Sequence, residues 1–257
     1  MKSWLKYSLT AVAVAAFCTA AGVIISCGDR DDHILACNSV KLEPARAGQC
    51  SFLGEDDVKK LLEEHYGYCV GQRLEELDLD AIEAILDEEG AVKKSEAWFT
   101  RDGVLHISLT QRTPFLHFKD GKSSCYSDSE GFLFQPYPGV NPAVSVICGH
   151  SPIGANASLK GKLPEGETAE WLEKTIGMID WLQKKGVQTD SLLCRANGEL
   201  TLVSAKDGEH FILGQPDGWE EKYRGIVNYE EKIKPVKGKY NTVNLKYKNQ
   251  IICRKDM

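Results

Sequence analysis

The N-terminal region of the 257-residue chain contains a long segment without charged side chains. It runs from Tyr7 to Gly28 and comprises 22 residues. As an α-helix it would be about 33 Å long, which is enough to cross the hydrocarbon core of a bilayer. Lysines precede the segment, and the acidic sequence DRDD follows it. Because positive charge favours the cytoplasmic side, we predict a cytoplasmic tail at 1–6, a transmembrane helix at 7–28 and an extracytoplasmic region from residue 29 onward.

Two other interpretations of this segment stay open. A cleaved signal peptide has an apolar stretch of only about 7–15 residues, so the greater length here favours a retained helix. The second interpretation is a lipid anchor. The sequence IISC at 24–27, followed by GDRDD, resembles the start of a bacterial lipoprotein that carries lipid on Cys27. Lipidation of Cys27 would replace the membrane span by a lipid anchor.

Composition limits the class of protein that follows this segment. Charged residues make up 26% and hydrophobic residues 42%, as in globular proteins. The length allows one large domain or two ordinary ones. The net charge is −6, and a protein that neutralises phosphates needs a basic face. We therefore expect no nucleic-acid partner.

The region before Pro114 has the pattern of a small α+β domain. A strand is predicted at 34–40, and helices at 55–66 and 79–89 follow from apolar residues at helical spacing. Asp80 and Glu83 resemble a capping box for the second helix. Strands at 94–99 and 104–112 are separated by Asp102-Gly103, a strong hairpin signal. The order β-α-α-β-β predicts a three-stranded sheet with two helices on one face, and Pro114 predicts a boundary between domains at 29–112 and 113–257.

The second domain has the pattern of a mainly antiparallel β domain. Strands are predicted within 123–134, 143–150 and 192–214, with one helix at 168–185. A last strand is predicted in YNTVNLKYKNQ at 240–250, where Val243, Leu245 and Tyr247 alternate with polar residues. The overall fold class is α+β.

The chain has no recognisable catalytic or metal-binding motif. GHSPI at 149–153 has Ile153 where a nucleophile elbow needs glycine, so His150 and Ser151 are interpreted as loop residues. The histidines lack metal-ligand spacing, and no C-x-x-C occurs. The seven cysteines after residue 28 are an odd number, which favours reduced, buried thiols, although pairing of Cys37 with Cys50 stays open. We expect no enzyme and no cofactor.

Several stretches together resemble the bacterial cell-division proteins FtsQ/DivIB. VLHISLTQRTPFLHF at 104–118 resembles the last strand of that family's POTRA domain, with Gln111, Arg112 and Pro114 leading into the β domain. CYSDSEGFLF at 125–134 resembles the following strand and turn, with Asp128 and Gly131 in the D-x-x-G positions. GELTLV at 198–203, GEHFILG at 208–214 and VNLKYKNQIIC at 243–253 are similar to the later strands.

The resemblance implies a non-enzymatic divisome scaffold that links septal peptidoglycan synthesis to the division ring. It would span the inner membrane once, with its bulk in the periplasm at the division septum, and bind FtsB/DivIC-like and FtsL-like proteins. The resemblance further implies that a partner strand pairs at the C-terminal edge, at Lys246, Tyr247 and Asn249. The residues alone leave Tyr247 equally compatible with a core position. The alternative functions are an envelope lipoprotein anchored through Cys27 that binds another partner and, more remotely, an envelope hydrolase.

Overall fold

A computed structural model describes residues 36–44, 51–121, 123–154 and 159–255. The apolar segment at 7–28, Cys27 and Cys50 lie outside the described residues. Among the helices that are described, none combines the length and the apolar character that crossing a bilayer requires.

The N-terminal unit is a three-stranded sheet covered by two helices. Its predicted order β-α-α-β-β is confirmed. Strand β3 is central and pairs in parallel with β1 and antiparallel with β2. The core between the helices and the sheet contains Val58, Leu62, Ile82, Leu86, Leu105 and Ile107. The elements are β1 (Ser39–Leu42), α1 (Glu55–His65), a 3-10 turn (Leu74–Glu76), α2 (Leu79–Asp87), β2 (Val92–Phe99) and β3 (Val104–Gln111).

Local side-chain chemistry sets the ends of these elements. The backbone N–H of Gly54 donates to Asp57 Oδ2 at 2.9 Å, which starts α1. The predicted cap of α2 at Asp80 is wrong, because Asp78 precedes the helix and its Oδ1 accepts the N–H of Ala81 at 3.1 Å. The predicted turn between β2 and β3 is confirmed, and Gly103 in it has a φ of 81°. A Cβ at Gly103 would lie 2.5 Å from the carbonyl oxygen of Ala36, so the turn has no room for a side chain.

The second sheet has ten strands in the order β13-β12-β11-β10-β9-β7-β4-β5-β6-β8. Of the nine pairings between these described strands, six are antiparallel, which agrees with the predicted β domain. The pairings β4–β7, β7–β9 and β11–β12 are parallel. The strands are β4 (Pro114–Asp120), β5 (Ser123–Asp128), β6 (Phe132–Phe134), β7 (Ser145–Gly149), β8 (Gly161–Lys162), β9 (Ser191–Cys194), β10 (Leu200–Val203), β11 (His210–Gly214), β12 (Thr242–Asn244) and β13 (Ile252–Arg254).

Two helical segments pack against this sheet, whereas the sequence predicted one. Helix α3 (Glu167–Lys184) is confirmed, and its predicted apolar stripe from Trp171 to Leu182 is buried. The second segment consists of α4 (Trp219–Asn228), a π-helical turn (Tyr229–Ile233) and α5 (Lys234–Lys237). Its periodicity is obscured because the inward positions include Gly225 and Lys222. Lys222 is buried because its ammonium binds Asp217 Oδ1 at 2.9 Å and the carbonyl oxygen of Gln215.

The described cysteines are free thiols. Cys37, Cys69, Cys125 and Cys194 are buried, and Cys148 and Cys253 are partly exposed. Burial raises the pKa of Cys69 and of Cys125 to about 11, so both thiols stay protonated at neutral pH. These positions agree with the interpretation of the cysteines as small buried hydrophobes.

Candidate partner-binding site

The three residues that the resemblance assigns to partner binding lie in one loop, and the strand prediction that contained them is wrong beyond Asn244. Strand β12 ends at Asn244, and the loop Leu245–Ile251 leads to β13. The side-chain oxygen of Asn244 accepts the backbone N–H of Lys246 at 3.0 Å, so a local turn replaces the ladder hydrogen bond. Asn249 then adopts a left-handed conformation with a φ of 59°. The alternation of apolar residues therefore extends farther than the strand.

The loop is fixed at Lys246 and at Asn249. The Lys246 ammonium forms an ion pair with Glu199, whose carboxylate is largely buried. Its hydrogen bond with Lys246 lowers the pKa of Glu199. The backbone N–H of Asn249 donates to Glu221 Oε1 of α4 at 2.6 Å. The charge of Lys246 is thus compensated within the chain, whereas Lys248 is exposed.

Tyr247 lies between these two fixed points and is 53% exposed. The alternative interpretation, which placed Tyr247 in the core beside Val243 and Leu245, is wrong because the chain has already turned away from the sheet. Tyr247, Asn249 and Ile251 face Arg224 and Asn228 of α4 across a surface cavity of about 220 Å³. The side chain is therefore presented at the surface. Its role in binding a partner, like that of Lys246 and Asn249, stays a prediction.

The sheet edge beside this loop is formed by β13. This strand pairs with β12 on one side and is the last strand of the ten described ones. Ile252 is 38% exposed, and Arg254 is also exposed. An outer strand presents N–H and C=O groups to which an extended peptide can bind. The resemblance implied an edge at Lys246, Tyr247 and Asn249, whereas the β-branched pair in IICR at 251–254 is the local signal for β13.

A partly buried ionic cluster lies beside the chain segment that leads into β12. Lys234 binds Asp207 Oδ2 at 2.7 Å and Glu209 Oε1 at 2.8 Å, and Glu209 is fully buried. Burial favours a lower pKa for Lys234, but its hydrogen bonds to carboxylates outweigh this effect and raise it. The hydroxyl of Tyr229 accepts the backbone N–H of Tyr240 at 3.0 Å. These contacts hold the segment that leads into β12 against the preceding helical segment.

The N-terminal unit has the order β-α-α-β-β and a sheet in which β3 lies between β1 and β2. Residues 35–110 match the family described as the POTRA-like domain. The N-terminal unit is a POTRA-like domain. No curated protein matches the chain in sequence.

The outer edge of β2 in the POTRA-like domain is covered by side chains of α2. The backbone N–H of Ser95 donates to Asp87 Oδ1 at 2.7 Å, and that of Ala97 donates to Glu83 Oε1 at 2.7 Å. These donors would otherwise be free to bind a partner strand. Although β2 has eight residues, two of its outward donors are already occupied. Side chains of the same domain therefore block the outer edge of β2 against strand addition.

The POTRA-like domain contacts the β domain through an ion pair and a small buried cluster. Within the POTRA-like domain, the side-chain oxygen of Gln111 accepts the N–H groups of Phe52 and Leu53 at 2.6 and 3.1 Å, which fixes the segment before α1 against the end of β3. Arg112 binds Asp128 Oδ2 at 3.0 Å and lies 3.4 Å from the centre of the Phe132 ring. Phe52 and Ala91 of the first unit form one buried cluster with Tyr126 and Phe134 of the second.

The residues considered for catalysis lie in an exposed loop. His150 Nδ1 is 2.9 Å from Asp120 Oδ2, and the backbone N–H of Ser151 donates to the carbonyl oxygen of Gly149. No group of three or more His, Cys, Asp or Glu residues within the described ranges could hold a metal ion.

Proposed function

We propose that this protein is a non-enzymatic scaffold of the bacterial divisome, of the FtsQ/DivIB type. In this proposal the segment 7–28 anchors it in the inner membrane, and residues 29–257 lie in the periplasm at the septum. It would link septal peptidoglycan synthesis to the division ring by binding FtsB/DivIC-like and FtsL-like proteins. The POTRA-like domain supports a role as a scaffold for protein–protein interactions.

The observation that carries the proposal is a POTRA-like domain in buried contact with a β domain whose outermost strand, β13, lies at the C-terminal edge. A scaffold has to hold one partner at a fixed distance and orientation from another. The buried contact of Arg112 with Asp128 restrains the joint, and the covered edge of β2 leaves β13 as the better surface for strand addition. These features support a scaffold in which the POTRA-like domain acts as a spacer and β13 binds the partner.

The proposed contact adds an extended segment of the partner alongside β13. Main-chain hydrogen bonds would supply affinity, while the side chains beside the edge select the partner. Tyr247 is suited to this role, since a half-exposed ring can bury area in the complex and keep its hydroxyl hydrogen-bonded. Lys248 would favour an acidic partner segment and oppose pairing with unrelated strands.

Depletion of the protein in its native host tests this function. We expect filamentous cells with unfinished septa and loss of FtsB/DivIC-like and FtsL-like proteins from the septum. Normal division without the protein, in a strain that has no second copy, would refute the proposal. A mature protein that begins at a lipidated Cys27 would instead support the envelope-lipoprotein alternative, which the sequence IISC at 24–27 favours.

A further inference from the structure

The loop after α1 in the POTRA-like domain carries two exposed apolar side chains. Tyr68 is 72% exposed and Val70 is 55% exposed, whereas Cys69 between them is only 4% exposed. The buried Cys69 side chain holds the loop against the core, so Tyr68 and Val70 project outward from a fixed backbone. A shallow cavity of about 90 Å³, lined partly by Val40 and Leu62, lies beside them.

This loop is hydrogen-bonded to the first described residues of the chain. Ala36 forms a β-bridge with Arg73. The backbone N–H of Cys37 donates to the carbonyl oxygen of Gln72 at 2.8 Å, and that of Gly71 donates to the carbonyl oxygen of Cys37 at 2.8 Å. The loop therefore lies where the chain arrives from its N-terminal segment.

The distance to the apolar segment is short. Eight residue steps separate Gly28 from Ala36. At the greatest extension of about 3.5 Å per residue, they span no more than roughly 28 Å. If Gly28 is at the membrane surface, Tyr68 and Val70 are within reach of that surface. The reach of Tyr68 and Val70 to the membrane rests on the membrane anchor of the proposed function.

We propose that Tyr68 and Val70 contact the lipid–water interface of the membrane that anchors the chain. Tyrosine is enriched at this interface, where its ring meets the acyl chains and its hydroxyl stays hydrated. Lys59 and Glu63 line the cavity beside them, and Arg73 lies in the bridge with Ala36, so the charges here are of both signs, which fits a zwitterionic surface better than a strongly anionic one. The segment between Gly28 and Ala36 limits the distance of the domain from the membrane but not the tilt of the domain. The contact through Tyr68 and Val70 restrains the tilt.

Fluorescence quenching by lipids tests the contact on the full-length protein. Tyr68→Trp and Val70→Trp are reconstituted in phosphatidylcholine vesicles with and without brominated acyl chains. Val236→Trp is the matched control, since Val236 is 80% exposed in α5 of the β domain. The emission of the wild-type tryptophans is subtracted. We expect brominated lipid to remove roughly half or more of the added emission at positions 68 and 70, and little of it at position 236.

Two results would overturn the inference, and they separate it from the proposed anchor. If the protein stays with the vesicles after an alkaline wash but positions 68 and 70 are quenched no more than position 236, the anchor holds and the interfacial contact is wrong. If the protein leaves the vesicles, both are wrong.

Discussion

Arg112 Nη1 lies 3.0 Å from Asp128 Oδ2, and this ion pair joins the end of the POTRA-like domain to the β domain. Both side chains are nearly buried, with 11% and 7% exposure. Asp128 Oδ1 also accepts the N–H groups of Glu130 and Phe132, which closes the turn between β5 and β6. Asp128 therefore supports the turn and the domain joint at the same time.

Arg112→Met should lower the free energy of unfolding by about 3 kcal/mol, because it leaves the Asp128 carboxylate buried without its cation. Urea denaturation would measure this loss. Lys93→Met is the matched control, since the Lys93–Glu130 pair is about half exposed and should contribute less than about 1 kcal/mol. Equal effects of the two substitutions would show that burial of the Arg112 pair is unimportant.

His117 should make the protein less stable as the pH falls from neutral. The ring is 5% exposed and its Nε2 has no hydrogen-bond partner, and burial, followed by the charge of Lys119, lowers its pKa from 6.5 to about 4. Between these values the unfolded chain binds a proton that the folded chain does not, so acid favours unfolding. The contribution between pH 7 and pH 5 is about 2 kcal/mol.

Urea denaturation of the wild type and of His117→Phe across this pH range isolates the effect of His117. The variant should lose less stability on acidification than the wild type. Parallel pH profiles would contradict a neutral, buried His117.

Glu83→Ala with Asp87→Ala should expose the edge of β2. Both carboxylates accept backbone N–H groups of that strand, so their removal leaves two unsatisfied donors. We expect concentration-dependent dimerisation in analytical ultracentrifugation. Glu88→Ala is the control, because Glu88 is exposed at the end of the same helix. A monomeric double variant with normal stability would mean that these carboxylates do not protect the edge.

Tyr247→Ala should weaken binding of an FtsB/DivIC-like partner by about thirtyfold, or about 2 kcal/mol, without changing the melting temperature. The reason is that Tyr247 is half exposed and is absent from the hydrophobic core. Titration calorimetry with the partner's periplasmic segment would measure the change. Val236→Ala, at another exposed apolar residue, should leave affinity unaltered. Unchanged affinity in Tyr247→Ala would remove Tyr247 from the site.

Short-range chemistry made much of the fold predictable. Helices α1, α2 and α3 follow from apolar residues at helical spacing, and the turn at Asp102-Gly103 follows from the backbone freedom of glycine. The sequence did not predict the helical segment that begins at Trp219, because its inward positions include a glycine and a lysine, which hide the apolar spacing. A Cβ at Gly225 would lie 2.7 Å from Leu245, so glycine is required there by a neighbour that is distant in sequence.

The candidate site depended more on tertiary structure. The alternation of Val243 and Leu245 with polar residues predicted which side chains of β12 and the residue after it are buried, and both are in the core. The end of β12 at Asn244, the ion pair of Lys246 with Glu199 and the edge position of β13 came from contacts that the folded chain makes. Parallel pairings such as that of β11 with β12 could not be predicted from the sequence either. Periodicity reports which side of a strand is apolar, whereas pairing, edges and ion pairs depend on contacts between residues far apart in the chain.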